Sequence, residues 1–170
     1  LVIRVIDGST PKQTDTTQRW KIGLEVAGAV APVRTKVEFS RRDEIEGAAF
    51  EAVTPQVLSP YSLTPMLATH YRVQRAITQK VEALAGRPEP QARDVFDLNL
   101  LLARTDARDV ALPTGRKREE AMENAMSISL DHYAAQVVAY LDPEQAPAWD
   151  AKVHWEAMQD AVVSRLERSS

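Results

Sequence analysis

The sequence predicts an α+β protein, with an N-terminal antiparallel or mixed β-sheet followed by a C-terminal helical bundle. Two periodicities predict it. Before residue 40 the apolar side chains recur every second position, the period of a half-buried strand; after residue 66 they recur every third or fourth, the period of an amphipathic helix. Strands first and helices afterwards place the helices on or beside one sheet. The boundary this implies separates a β-rich part, 1–65, from a helical part, 66–170.

The elements follow in order. Residues 1–6 (Leu1-Val2-Ile3-Arg4-Val5-Ile6) are nearly all apolar, as in a strand covered on both faces. Asp7-Gly8-Ser9-Thr10-Pro11 reads as a turn. In 17–26, Trp20, Ile22, Leu24 and Val26 point one way, Arg19, Lys21 and Glu25 the other. In 33–39, Val33, Val37 and Phe39 oppose Arg34, Lys36 and Glu38, which makes a meander with one polar face. Residues 41–65 are punctuated by Pro55, Pro60 and Pro65 and leave room for one short strand near Ala52–Leu58. Helices are expected over about 66–85, 91–104, 117–141 and 149–167, the third carrying Met122, Met126, Leu130, Tyr133, Val137 and Leu141 at helical spacing. Asp142-Pro143 has the form of a helix start, a cap followed by proline.

Composition excludes several classes. The 170 residues are about the size of one domain and not of three, and 44% apolar with 26% charged residues is ordinary globular usage. No apolar run approaches the ~20 residues of a membrane span, so a soluble cytoplasmic protein is expected. Cysteine is absent and the three histidines are scattered, which removes disulfides and thiolate or His-rich metal sites. Twenty-one basic against 24 acidic residues give −3, with no global basic field. The chain opens on an apolar run with no initiator methionine, and an upstream portion is expected.

Three residues break the pattern. On the helix around 66–85, Lys80 falls inside the apolar stripe of Val73, Ile77, Val81 and Leu84, as does His70. On the next helix Asp94 lies between Leu98 and Leu101, with Asp97 on an adjacent face and Arg93 four residues before Asp97. A carboxylate among leucines needs a cation, and Lys80 is that partner if the helices form a hairpin through Gly86-Arg87-Pro88. One reading is a salt bridge that fixes helix packing; the other is a cleft suited to phosphate and metal. Glu38, beside Arg34 and Lys36, is a solvent-facing cross-strand partner or a strand-borne carboxylate of a metal-dependent phosphoryl-transfer site. Glu44-Ile45-Glu46 has acid-x-acid spacing without a preceding Gly-Ser and reads as surface. No glycine-rich phosphate loop is present.

Arg34-Thr35-Lys36-Val37-Glu38-Phe39-Ser40, then Gln79-Lys80-Val81-Glu82-Ala83-Leu84-Ala85-Gly86-Arg87, then Ala92-Arg93-Asp94-Val95-Phe96-Asp97-Leu98, resemble the AbiEii/AbiGii nucleotidyltransferase toxins of type IV toxin–antitoxin and abortive-infection systems. The resemblance spans roughly 15–105 and implies a nucleotidyltransferase-like fold with a helical C-terminal part. It implies an enzyme that uses Mg2+ and an NTP, transfers NMP to an RNA acceptor such as tRNA, and has an antitoxin partner. By resemblance Glu38 is a metal carboxylate, Lys80 contacts the triphosphate, and Asp94 is the acidic residue of the helical motif, supported by Asp97 with Arg93. This tips both helical anomalies toward function. The family's Gly-Ser and Asp-x-Asp motif has no counterpart here, because Gly8-Ser9 is followed only by Asp15. The expectation is an incomplete sheet whose metal motif lies upstream, and a chain inactive alone. The alternative is a non-enzymatic domain that keeps the fold and binds a partner such as an antitoxin.

Overall fold

Alternation along Thr17–Val26 is realised as the central strand of a three-stranded antiparallel sheet. The computed structural model describes residues 3–40, 47–104, 110–144, 146–150 and 152–168. Strands β1 (Ile3–Gln13), β2 (Thr17–Val26) and β3 (Val33–Ser40) lie in the order β1-β2-β3. Register puts Leu24 opposite both Val5 and Val33, and Trp20 opposite Val37, so the apolar residues share one face. Trp20 meets Phe39 edge-on, with ring centroids 5.8 Å apart. The other face is a ladder of charge pairs. Arg4 bonds Glu25, Arg19 bonds Glu38, and Arg34 reaches over β2 to Asp7. The last pair crosses at Gly23, where an added Cβ would lie 2.7 Å from both Arg34 Nη1 and Asp7 Oδ1.

Two expectations for β1 are corrected. Asp7–Pro11 is not a turn: β1 runs through it, and register shifts after Val5 and Ser9 absorb the irregular residues. The run is also not covered on both faces, because Ile3, Val5 and Ile6 are exposed.

The chain divides into two compact units, Leu1–Ile45 and Glu46–Ser170. The boundary expected near residue 65 falls inside the second. That unit opens with a hairpin of β4 (Ala48–Ala52) and β5 (Leu67–Tyr71), paired from Ala48–Tyr71 to Ala52–Leu67. The strand expected at Ala52–Leu58 is therefore displaced. Pro55 at its first position starts a short helix, α1 (Pro55–Leu58), followed by a 3-10 turn at Ser59–Tyr61. The helix expected from 66 begins only at α2 (Val73–Gly86), since Leu67–Tyr71 is claimed by pairing with β4.

Helices α3 (Ala92–Leu102), α4 (Arg116–Ser127), α5 (Leu130–Gln136), α6 (Ala146–Trp149) and α7 (Lys152–Glu167) complete the unit. The single helix expected over 117–141 breaks at Ile128-Ser129, where the Ser129 side chain caps α5 by accepting from the His132 N–H. Asp142 begins a turn, not a helix. Its Oδ1 accepts from the Glu144 N–H at 2.9 Å, and α6 starts four residues later. α2 packs on α3 and α4, and α7 closes against both α3 and α4. Ile77, Val81, Leu84, Val95, Leu98, Tyr133, Trp155, Val162 and Leu166 form the core. Tyr133 and Trp155 stack 4.6 Å apart, and Trp155 donates its indole N–H to the Ile128 carbonyl. Buried Gln159 likewise serves the Ala125 and Ile128 carbonyls, which the break in the helix leaves open. Among the described residues, no helix is long and apolar enough to cross a membrane.

Candidate functional site

Lys80 breaks the stripe of α2 and Asp94 that of α3, and the fold brings these two interruptions together. Lys80 Nζ donates to Asp94 Oδ1 at 2.9 Å and lies 2.5 Å from Asp97 Oδ2. Lys80–Asp97 and Arg87–Asp94 contacts require the two helices to run in opposite senses across the 87–91 connection. Asp94 occupies the first turn of α3, where the helix dipole favours a negative charge. Its side chain is 0% exposed, whereas that of Lys80 is 30% exposed.

Arg87 joins them. It sits one residue beyond α2, where its backbone N–H still bonds the Ala83 carbonyl. Its Nε lies 3.2 Å from Asp94 Oδ2, close enough for an ion pair. The approach is not aligned for a hydrogen bond, and Oδ2 has no such partner among the described residues. We therefore treat Arg87 as a neighbouring charge and not as a donor. The cluster thus holds two carboxylates, an ammonium and a guanidinium, with formal charges that cancel.

Burial pulls the Lys80 pKa down. Hydrogen bonds to Asp97 and Asp94, with their charges, more than offset this and hold it above its ordinary 10.5. Lys80 is thus a permanent cation, aimed by one buried carboxylate and one half-exposed one. An ammonium has three donors, and two are used here. This arrangement can keep a positive charge at a fixed place near the surface and offer its remaining donor to an anion.

The other expected residues lie elsewhere. Arg93 is exposed, and among the described residues the Asp97 carboxylate pairs with Lys80. His70 is on β5, not on a helix stripe, with Nε2 3.6 Å from Glu51. Glu44–Glu46 lies outside the described residues. Glu38 belongs to the first unit. It stands opposite Arg19, whose Nε is 2.5 Å from its Oε2, with Lys36 Nζ at 3.7 Å. The Arg19 hydrogen bond chiefly holds its carboxyl below the ordinary 4.5; slight desolvation opposes this, and the Arg19, Lys36 and Lys12 charges add to it.

Among the described residues, no group of three or more His, Cys, Asp or Glu side chains could hold an ion. Glu38 is one carboxylate facing two cations, and Asp94 and Asp97 already share Lys80. These donors do not fit a metal ion by themselves.

Sequence reasoning missed a role for Arg87. The available signal was its place seven residues after Lys80, two helical turns along the same face.

Comparison with known proteins supplies the wider setting. Residues 2–168 match the family described as nucleotidyl transferase AbiEii toxin, type IV TA system. No curated protein matches the chain. Two solved structures from Helicobacter pylori share its fold. JHP933 is 18% identical with a TM-score of 0.54, covering 98% of this chain and 67% of its own. A candidate nucleotidyltransferase is 18% identical with a TM-score of 0.53, covering 99% of this chain and 70% of its own.

Proposed function

Because the chain belongs to the nucleotidyl transferase AbiEii toxin family of type IV toxin–antitoxin systems, we propose that it transfers a nucleoside monophosphate from an NTP to an RNA hydroxyl. In this reading the hydroxyl oxygen attacks the α-phosphorus. The bond from that phosphorus to the bridging oxygen breaks, pyrophosphate leaves, and the hydroxyl proton passes to water. Lys80 holds the triphosphate and offsets the charge that builds on it, an electrostatic role that needs a fixed cation. Asp94 and Asp97 aim the ammonium. The supporting observation is the position of Lys80 Nζ between a fully buried carboxylate and a half-exposed one, its two ion pairs among the described residues. Among the described residues the donors do not by themselves fit Mg2+. An antitoxin as protein partner belongs to the same proposal.

The test replaces Lys80 by Ala in the full-length protein and measures transfer from each labelled NTP to RNA, with folding followed by circular dichroism. Transfer is expected to fall by about 100–1,000-fold while the protein stays folded at assay temperature. Undiminished transfer by a folded Lys80→Ala protein would overturn the reading. Absence of transfer by the wild type with all four NTPs, together with tight binding to the antitoxin, would favour the partner-binding domain instead.

A further inference from the structure

Within the cluster of Lys80, Arg87, Asp94 and Asp97 the charges balance only because of Arg87. Asp94 and Asp97 carry two negative charges, and Lys80 supplies one positive. Asp94 is fully buried, so its charge is poorly screened and must be met locally. Lys80 satisfies Oδ1, while Arg87 Nε stands 3.2 Å from Oδ2 without forming an aligned bond. Without Arg87 the whole field of Asp94 would fall on Lys80, and the cluster would present a net negative charge to an incoming anion.

We infer that Arg87 is a positioning residue that neutralises Asp94 and so frees Lys80 to bind a polyphosphate. This rests on the proposed role of Lys80 as the triphosphate cation, and it names what makes that cation usable. Arg87 acts through Asp94 and touches no substrate in this account. Its contribution is therefore charge rather than shape, and any change that restores neutrality restores binding. That separates it from a guanidinium that merely staples two helices, which removal of another charge in the cluster would not replace.

Calorimetric binding of inorganic tripolyphosphate to the full-length protein tests the inference without requiring turnover. Arg87→Met is expected to weaken binding about tenfold, the scale of one unit charge acting over roughly 10 Å near a surface. Arg87→Lys keeps the charge and is expected to bind within about threefold of wild type. Arg87→Met combined with Asp97→Asn returns the cluster to neutrality while leaving an amide oxygen that can still accept from Lys80 Nζ, so the ammonium stays aimed and most of the loss is expected to be recovered. If Arg87→Met fails to fold, Arg87→Lys decides the matter: a folded Arg87→Lys protein that binds more than about tenfold more weakly than wild type would overturn the charge account. Unchanged affinity in Arg87→Met, or no recovery in a folded double variant, would overturn the role of Arg87. Binding by Lys80→Ala as tight as wild type would overturn the reading beneath it, a result distinct from either.

Discussion

In the Leu1–Ile45 unit, Glu38 meets Arg19 across two strands, on a face where Arg4–Glu25 and Arg34–Asp7 repeat the pattern in the open. In the Glu46–Ser170 unit, Asp94 meets Lys80 and Arg87 beneath the surface of a helix hairpin, beside a core that runs from Ile77 to Leu166. The same chemistry has different consequences in the two settings. An exposed pair exchanges water for a partner at little net gain and is weakened by salt. A buried carboxylate has no water to fall back on, so its partners become part of the fold. Apolar burial differs in parallel. Phe39 is 62% exposed on the sheet, whereas Trp155 is 2% exposed in the helical core.

Four measurements sharpen or break this contrast. Trp155→Ala should have the largest effect, lowering stability by about 3–5 kcal/mol in denaturant titration, because it removes a buried indole from the core. Lys80→Met comes next, at roughly 2 kcal/mol, below the range for a fully buried pair because Arg87 still faces Asp94. A loss no larger than that of an exposed pair would erase the distinction between the units.

The pH dependence should then separate them. Lys80 has a folded pKa raised above 10.5. Its stabilising contribution is fully present below 10.5 and is lost as pH rises through the folded value. Glu38 has a folded pKa depressed below 4.5. Its contribution is present above 4.5 and is lost as pH falls through the folded value. Stability followed across both ranges should weaken in alkali through Lys80, an effect absent in Lys80→Met, and in acid through Glu38, an effect absent in Glu38→Gln. Coincident loss of both variants' differences in one pH window would contradict this assignment. The smallest effect is expected from Arg19→Gln, whose stability difference from wild type should shrink further in high salt. A large, salt-independent loss would show that the sheet pair is more deeply engaged than its exposure indicates.

Much of this contrast is legible in the residues. The alternation of Trp20, Ile22 and Leu24 against Arg19 and Lys21 gives β2 its two faces, and the register follows from matching them to β3. Lys80 and Asp94 advertise each other because each interrupts an apolar stripe. β5 escapes because Leu67 and His70 carry no strict alternation, and its identity depends on Ala48–Ala52, some twenty residues earlier. The break in the long helix escapes for the opposite reason. Met122, Met126, Leu130 and Tyr133 keep helical spacing across Ile128-Ser129, and only the Ser129 cap marks the interruption. Arg87 carries no local anomaly, since an arginine at a helix end beside Pro88 is unremarkable until Asp94 is placed next to it.

The stacked Tyr133 and Trp155 rings, inclined by 13°, also give the helical unit an optical signature. Aromatic transitions held in one fixed asymmetric arrangement generate near-ultraviolet circular dichroism, which vanishes once side-chain packing is lost even if helices persist. Trp20, edge-on to the half-open Phe39, lies in the other unit and remains within reach of a soluble fluorescence quencher. Trp149 is equally half-buried in the helical unit, so with Trp149→Phe in place one sample carries two reporters: a dichroic band for the integrity of the helical core and a quenchable emission for the sheet.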